Sequence, residues 1–289
     1  MYFDEDIVLD LRLNYLNNFV DNFVIVESRF THSGKKRNLN FNIDNFEKFK
    51  KKIIYLVLDR EPPDIEKVND SDDQNTKNSK YILNGMRRDF YQRNFIINGL
   101  RESANDDFIL ISDLDEIPKL DNIDLRSIKE RFVFFKQKMF YYKFNLCSES
   151  VTWTGTRGCK KKYLKSPQWL RNIKDRSYPM WRLDIVFSKN KYSNINLIKD
   201  GGWHFSYIKT PEDIEKKLQS YAHHREYELN NLGIQTIRDK IKNKESIYNL
   251  KTDMKNSKFN SGQKLIVLET NQLPTHIQNN LGKYKEWLE

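Results

Sequence analysis

DFILISDLDEIP, Asp107 to Pro118, decides the reading of this chain. Phe108 to Ile111 is an apolar run of the length and type that a buried strand requires, and it feeds directly into Asp113, Asp115 and Glu116. A strand that delivers carboxylates to its carboxyl end puts them where open α/β sheets hold their ligands. Residues two apart in extended chain point the same way, so Asp113 and Asp115 are expected to converge on one cation. Hard oxygen donors suit Mg2+ or Mn2+, and such a cation neutralises a diphosphate and stabilises it as a leaving group. Alone, an acidic D-x-D is more often a solvated turn than a site, so its surroundings must decide.

Upstream, MRRDFYQRNFIINGLRE (Met86–Glu102) has apolar residues at helical spacing, and FVIVES (Phe23–Ser28) and IIYLVL (Ile53–Leu58) read as short strands. Asp59 to Lys80 combines turn formers with charge and offers little to bury, which predicts a long loop. Downstream, RFVFFKQKMFYYKFNL (Arg131–Leu146) predicts a hairpin or two strands. In TPEDIEKKLQSYAHH, Thr210 as N-cap, Pro211 at the first helical position and acids in the first turn predict a helix start. Beyond Asn230 the chain is polar and rich in Lys and Asn, ending in amphipathic KYKEWLE. Alternating strands and helices predict an α/β fold with a central, mostly parallel mixed sheet flanked by helices.

The 289 residues suffice for a sizeable core, and 38% hydrophobic with 13% aromatic residues argues against disorder. Fifty Lys and Arg against forty Asp and Glu give a formal charge of +10, which favours anionic partners: nucleic acid, an anionic membrane or sugar phosphates. No long apolar run predicts a transmembrane segment, and acidic MYFDEDIVLDLRL does not read as a signal peptide; peripheral contact with a membrane stays compatible. Cys147 and Cys159 are too few for a thiolate zinc site, so a reducing cytoplasm is the expected location and a disulfide between them has no support.

Gln92, Arg93 and Asn94 lie on the expected helix ahead of the acidic strand, where an Arg fork can bind phosphate oxygens or brace the acidic turn; a structural salt bridge serves equally well. Together RLNYLNNFVDNFVIVES (Arg12–Ser28), QRNFIINGL (Gln92–Leu100), ISDLDEIP (Ile111–Pro118) and GGWHFSYIKTPEDIEKKLQSYAHH (Gly201–His224) resemble, in order, successive motifs of glycosyltransferase family 17. The likeness covers roughly Met1 to His224. It implies a single GT-A, Rossmann-like domain over residues 1–228, with a nucleotide-binding part to about 120, an acceptor part over 121–228, and a packed extension over 229–289. It further implies inverting transfer of a sugar, with N-acetylglucosamine from a UDP-sugar as the model donor, to a glycan or other hydroxyl acceptor. Family members carry a complete strand ahead of the segment matching FDEDIVLDLRL, bordering the nucleotide, whereas the sequence here starts almost at that segment.

On the matched positions the resemblance implies metal ligation by Asp113, Asp115, Glu116 and His204, the last from the G-W-H at Gly202 to His204. Donor contacts are expected from Arg12, Glu27, Gln92, Arg93, Asn94, Asp113, Trp153 and Trp203, although Arg12 and Glu27 could instead pair with each other and either Trp could be core. His223 and His224 share a motif that carries one histidine, and the register between them is open. Inversion needs a general base. Asp184, Asp200 and Glu149 are candidates, with Asp200 preferred for its place beside GGWH. Lys160 to Lys162, Arg171 and Lys174 read as a solvated basic face that could also help hold a diphosphate or an acidic acceptor.

Three rivals remain at this level. A haloacid-dehalogenase-like phosphatase also places D-x-D after an apolar strand, but wants Thr or Val where Ile117 stands. A basic nucleic-acid-binding protein fits the charge, yet the positive residues are dispersed and no nucleic-acid motif is present. A degenerate, sugar-binding transferase is disfavoured by the intact acidic cluster and His204.

Overall fold

A computed structural model describes residues 1–179, 181, 183–222, 224–250, 259 and 262–289. In chain order the elements are α1 (Asp6–Leu16), β1 (Phe23–Ser28), β2 (Ile53–Leu58), α2 (Gln74–Phe95), β3 (Phe108–Ile111), β4 (Glu116–Pro118), β5 (Phe132–Tyr141) and β6 (Leu146–Lys160). They continue with α3 (Pro167–Asn172), α4 (Leu183–Val186), β7 (Ile195–Ile198), β8 (Gly202–Ser206), α5 (Pro211–Leu218), α6 (His224–Leu229), α7 (Gly233–Lys242), β9 (Ile266–Val267), α8 (Thr275–Gln278) and α9 (Leu281–Tyr284). They form two compact units, each built from separate stretches: Met1–Glu5, Val24–Ile96 and Lys209–Leu265 in one, Asp6–Phe23, Ile97–Ile208 and Ile266–Glu289 in the other. The α/β class is as the sequence predicts.

The second unit carries a seven-stranded sheet of order β3-β6-β5-β8-β4, with β7 also on β5 and β9 also on β6. β5 runs parallel to β7 and β8; the β3–β6, β5–β6, β4–β8 and β6–β9 pairs are antiparallel. The sheet is therefore mixed, but less parallel than expected. The reason is connectivity: residues 142–145 join β5 to β6 too tightly for anything but an antiparallel pair. β5 has neighbours on both edges, and its opening Phe132 to Phe135 are fully buried one after another, as in strands covered on both faces.

β7 and β8 occupy the same edge of β5 in succession, with the backbone N–H of Gly201 donating to the Lys136 carbonyl between them (2.7 Å). β3 and β4 are consecutive in the chain yet terminate opposite ends of the strand order, and the acidic turn is the short link between them. α1 is buried on several faces through Val8, Leu9, Leu11, Leu13, Tyr15 and Leu16, and Tyr15 sets its ring edge-on to Trp203 of β8 (5.3 Å).

In the first unit β1 and β2 form a two-stranded sheet, and Tyr2 makes a parallel bridge to Glu27. α2 begins earlier than the sequence predicts. Asp73 accepts from the backbone N–H groups of Asn75 and Thr76 and caps it, so the expected loop ends at Asp73 rather than Lys80. At α5, Thr210 accepts from the Asp213 N–H (3.2 Å) with Pro211 next, as predicted. No described helix is long and apolar enough to cross a membrane.

Candidate active site

Asp113, Leu114 and Asp115 do not continue β3 in extended form. The N–H of Glu116 donates to the Asp113 carbonyl (3.1 Å), closing a turn before β4 begins. In this turn Asp113 faces Arg171 (3.2 Å), and Asp115 faces the Nε2 of His204 (3.5 Å). Two side chains from elsewhere in the unit, rather than strand periodicity, hold the carboxylates.

The turn is pinned from beneath by Arg12 of α1. Its guanidinium donates to the Glu116 carbonyl (2.6 Å), more weakly to the carbonyls of Asp113 and Leu114 (3.4 Å each), and to the Ser112 hydroxyl (3.1 Å). Burial pulls the Arg12 pKa down to about 10, against the opposing pull of Glu116, Asp115 and Asp113. It stays a cation at neutral pH. The Ser112 hydroxyl lies 2.9 Å from that of Thr156, which donates to the Glu116 carbonyl (3.2 Å), so the turn's backbone is fixed from β6 as well.

Glu116 is fully buried. Its Oε1 accepts from Trp153 Nε1 (2.7 Å) and Arg171 Nη2 (2.8 Å), and its Oε2 from Arg171 Nη1 (2.7 Å) and the Asp113 N–H (2.9 Å). A carboxylate offers about four lone-pair sites, and these donors fill them. As placed, Glu116 has no oxygen to give a cation, which corrects its expected role as a ligand: it is the buried anchor of the turn. Gly155 of β6 makes room for this arrangement, because a Cβ there would sit 1.7 Å from Gln137 Oε1 and 3.1 Å from Glu116 Cδ.

His204 faces Glu116 directly across the β4–β8 ladder and is buried. Burial alone would lower its pKa, but Asp115, Glu116 and Asp113 outweigh that and raise it. Its Nδ1 is buried without a hydrogen-bond partner among the described residues, and the Trp153 ring lies beside it at 5.4 Å. Among the described residues no group of three or more His, Cys, Asp or Glu is arranged to hold a metal ion unaided. A nucleotide-bound Mg2+ does not require one: one or two protein groups suffice when phosphate oxygens and waters complete the shell. Asp115 and the Nε2 of His204 that faces it (3.5 Å) fit that smaller role, with Asp113 in the same turn.

Other expected site residues fall into structural roles. Trp203 is buried, packs on Tyr15 and donates Nε1 to the Gln272 carbonyl (2.9 Å), so it is core rather than a stacking platform. Arg12 and Glu27 each find partners other than one another. Glu27 is fully buried, accepting from Arg37 (2.9 Å), the N–H groups of Asn40 (2.7 Å) and Phe41 (3.1 Å), and the Tyr55 hydroxyl (2.7 Å), which leaves it closed to a nucleotide. Gln92 is buried between His32 (3.0 Å) and the Val26 carbonyl (3.3 Å), and Arg93 pairs with Asp89 one helical turn away (2.9 Å). Asn94 lies half-buried on α2.

Asp200 sits in the exposed turn before β8 with a left-handed φ of 48°. It stands four positions before His204, roughly 13 Å of extended chain, and it lies at the opposite end of the β4–β8 ladder from Asp115. That corrects it as the base acting at the cluster. Glu149 is exposed on β6 and Asp184 pairs with Lys191 (2.8 Å). His224 donates from Nδ1 to the Tyr221 carbonyl (3.1 Å), while His223 lies outside the described residues. Cys147 and Cys159 are both free and buried on β6, too far apart along one strand to bond.

The model of glycosyltransferase family 17 matches residues 1–288. The chain belongs to glycosyltransferase family 17. It is 29% identical over 233 residues to the human β-1,4-mannosyl-glycoprotein 4-β-N-acetylglucosaminyltransferase and equally to that of Rattus norvegicus, covering 74% of this chain. The enzyme of Mus musculus is 28% identical over the same length. The chain spans 40% of the length of these curated relatives. No solved structure matches it.

Within this family 17 chain, the residue that sequence reasoning underrated is Arg171. It stands among many cations as part of a basic stretch, and only its fold position, at the end of α3 with the fork on Glu116 and Asp113, separates it from them. A local signal existed for the helix: Ser166 caps it through the Trp169 N–H (3.2 Å) and Pro167 opens it. Nothing local indicated what the helix would aim at.

Proposed function

We propose that the chain transfers a sugar, with N-acetylglucosamine the first to test, from a UDP-sugar to a hydroxyl acceptor with inversion, in a reaction that needs Mn2+ or Mg2+. The observation that carries this reading is the approach of Asp115 to the Nε2 of His204 (3.5 Å) on a turn held by Arg12 and Arg171. Asp115 and His204 would hold the cation and Asp113 would adjoin it; when bound, the cation would neutralise the donor diphosphate and stabilise it as it leaves. Arg12, Glu116 and Arg171 fix the turn before donor arrives, which is the preorganisation that makes fixed charges effective. Trp153, tied to Glu116, presents an indole beside His204 that can border a sugar or base face.

Family membership and the activity for which the relatives are named favour sugar transfer over the phosphatase and nucleic-acid readings. The decisive experiment is a donor screen measuring release of nucleoside diphosphate from UDP- and GDP-sugars with and without Mn2+. Release from a UDP-sugar only with the cation supports the reading; phosphate release from simple phosphomonoesters, with no turnover of any nucleotide sugar, overturns it.

A further inference from the structure

β2 is an edge strand of the first unit's sheet. Its sequence, IIYLVL from Ile53 to Leu58, carries no charge, proline or glycine, and among the described residues its one strand neighbour is β1. The opposite side is open to pairing. Edge strands that stay in water are ordinarily charged, bulged or interrupted by proline, because a row of free N–H and C=O groups recruits further strands. β2 has none of these features, and Ile53 to Val57 are half-buried at every position rather than buried.

In extended chain the N–H and C=O of one residue point to the same side, and that side alternates along the strand. The Leu58 carbonyl accepts from the Arg29 N–H (2.9 Å), just past the end of β1, so Leu58, Leu56 and Ile54 serve β1. Ile53, Tyr55 and Val57 therefore present their backbone groups outward. Just beyond the two ends of the strand stand opposite charges, Lys51 and Asp59, both exposed and neither engaged in an ion pair or hydrogen bond among the described residues.

This pattern is complementary to itself. An antiparallel copy related by a two-fold axis at Tyr55 sets Ile53 opposite Val57 and Lys51 opposite Asp59, each twice by symmetry, and uses every outward group in about six backbone hydrogen bonds. A parallel copy would oppose Lys51 to Lys51 and Asp59 to Asp59, which costs stability. A slip of one residue would set outward groups against inward ones, and a slip of two would place Asp59 opposite Ile53. Lys50 and Arg60, next out from the strand, are turned to Glu47 (3.4 Å) and the Tyr91 hydroxyl (3.1 Å). We propose that this protein self-associates through β2, two copies joining their edge strands antiparallel with Lys51 of each against Asp59 of the other. The inference does not rest on the proposed sugar transfer.

The test is sedimentation velocity of the full chain from about 1 μM to about 300 μM, with hydrogen exchange of the β2 amides at both extremes. A six-residue edge is smaller than a standard interface of about 1,600 Å², so a dimer in the micromolar range is expected. The amides of Ile53, Tyr55 and Val57 should gain protection as concentration rises. Lys51→Glu or Asp59→Lys makes two attractive pairs repulsive and should weaken the dimer about tenfold, and the two together should restore it. Val57→Pro removes one outward N–H and spares the bonds to β1, so it should abolish the dimer with the far-UV circular dichroism of wild type. A monomer throughout the range overturns the proposal, as does a dimer that neither single charge reversal weakens. Failure of the double reversal to restore a dimer that both single variants lose, with the fold intact, overturns the antiparallel register. Dimerisation that leaves the three amides unprotected gives the association to another face and overturns it too.

Discussion

Glu116 is a buried charge whose four hydrogen-bond positions are filled, two of them by one guanidinium fork. Removing the fork leaves the carboxylate uncompensated in the interior, so Arg171→Ala is expected to destabilise the protein by about 3–5 kcal/mol in urea denaturation. Arg171→Lys should rescue only part of this, because an ammonium cannot reproduce the bidentate geometry; full rescue would contradict the role given to the fork. Glu5 offers a test of a different kind. Burial opposes its charge, but Lys217 and Lys209 prevail and hold its pKa at about 2, below the ordinary 4.5. A depressed acid stabilises the fold above its unfolded pKa and ceases to do so as pH falls through the folded one. Stability measured from pH 5 down to pH 2 should thus fall more steeply in wild type than in Glu5→Gln, by on the order of 3 kcal/mol across the window. Parallel curves would contradict the ion-pair assignment.

At the level of elements, the β4–β8 ladder decides where His204 stands, and Gly202 decides the ladder. Its φ is +122°, and a Cβ there would meet the Ile117 carbonyl oxygen at 2.2 Å, so only glycine lets β8 approach β4. Gly202→Ala is expected to cost about 1–3 kcal/mol from backbone strain alone and to lower any donor turnover, read by thermal melting beside the activity assay. Thr210→Ala should cost about 1 kcal/mol at the start of α5 with turnover retained, which makes it the control for destabilisation without damage to the turn. These two elements were legible because their signals are local: a G-G-W-H string, and a cap followed by proline. The early start of α2 was not, because Gln74 to Lys80 is polar and its helical state rests on the Asp73 cap and on ties such as Lys80 to Asp72 (2.6 Å) rather than on apolar periodicity.

For the molecule as a whole, the α/β class followed from alternating strand and helix patterns, and the residues of the acidic turn from one apolar run ending in carboxylates. The geometry of that turn did not follow. Whether Asp113 and Asp115 share a direction depends on Arg171, fifty-odd residues on, and on His204 across a ladder, and long-range contacts leave no periodicity to read. The same limit hid that β3 and β4, consecutive in the chain, stand at opposite ends of the strand order. Surface charge was legible in total but not in distribution, since only the fold shows Lys51 and Asp59 at the two ends of an edge strand. The central claim concerns Asp115 and His204, and the most direct test is Mn2+-dependent release of nucleoside diphosphate from a UDP-sugar by wild type, Asp115→Ala and His204→Ala, with near-UV circular dichroism as the check on folding. Loss of about two orders of magnitude or more is expected in either variant with the fold intact; wild-type turnover by folded Asp115→Ala would overturn the metal site.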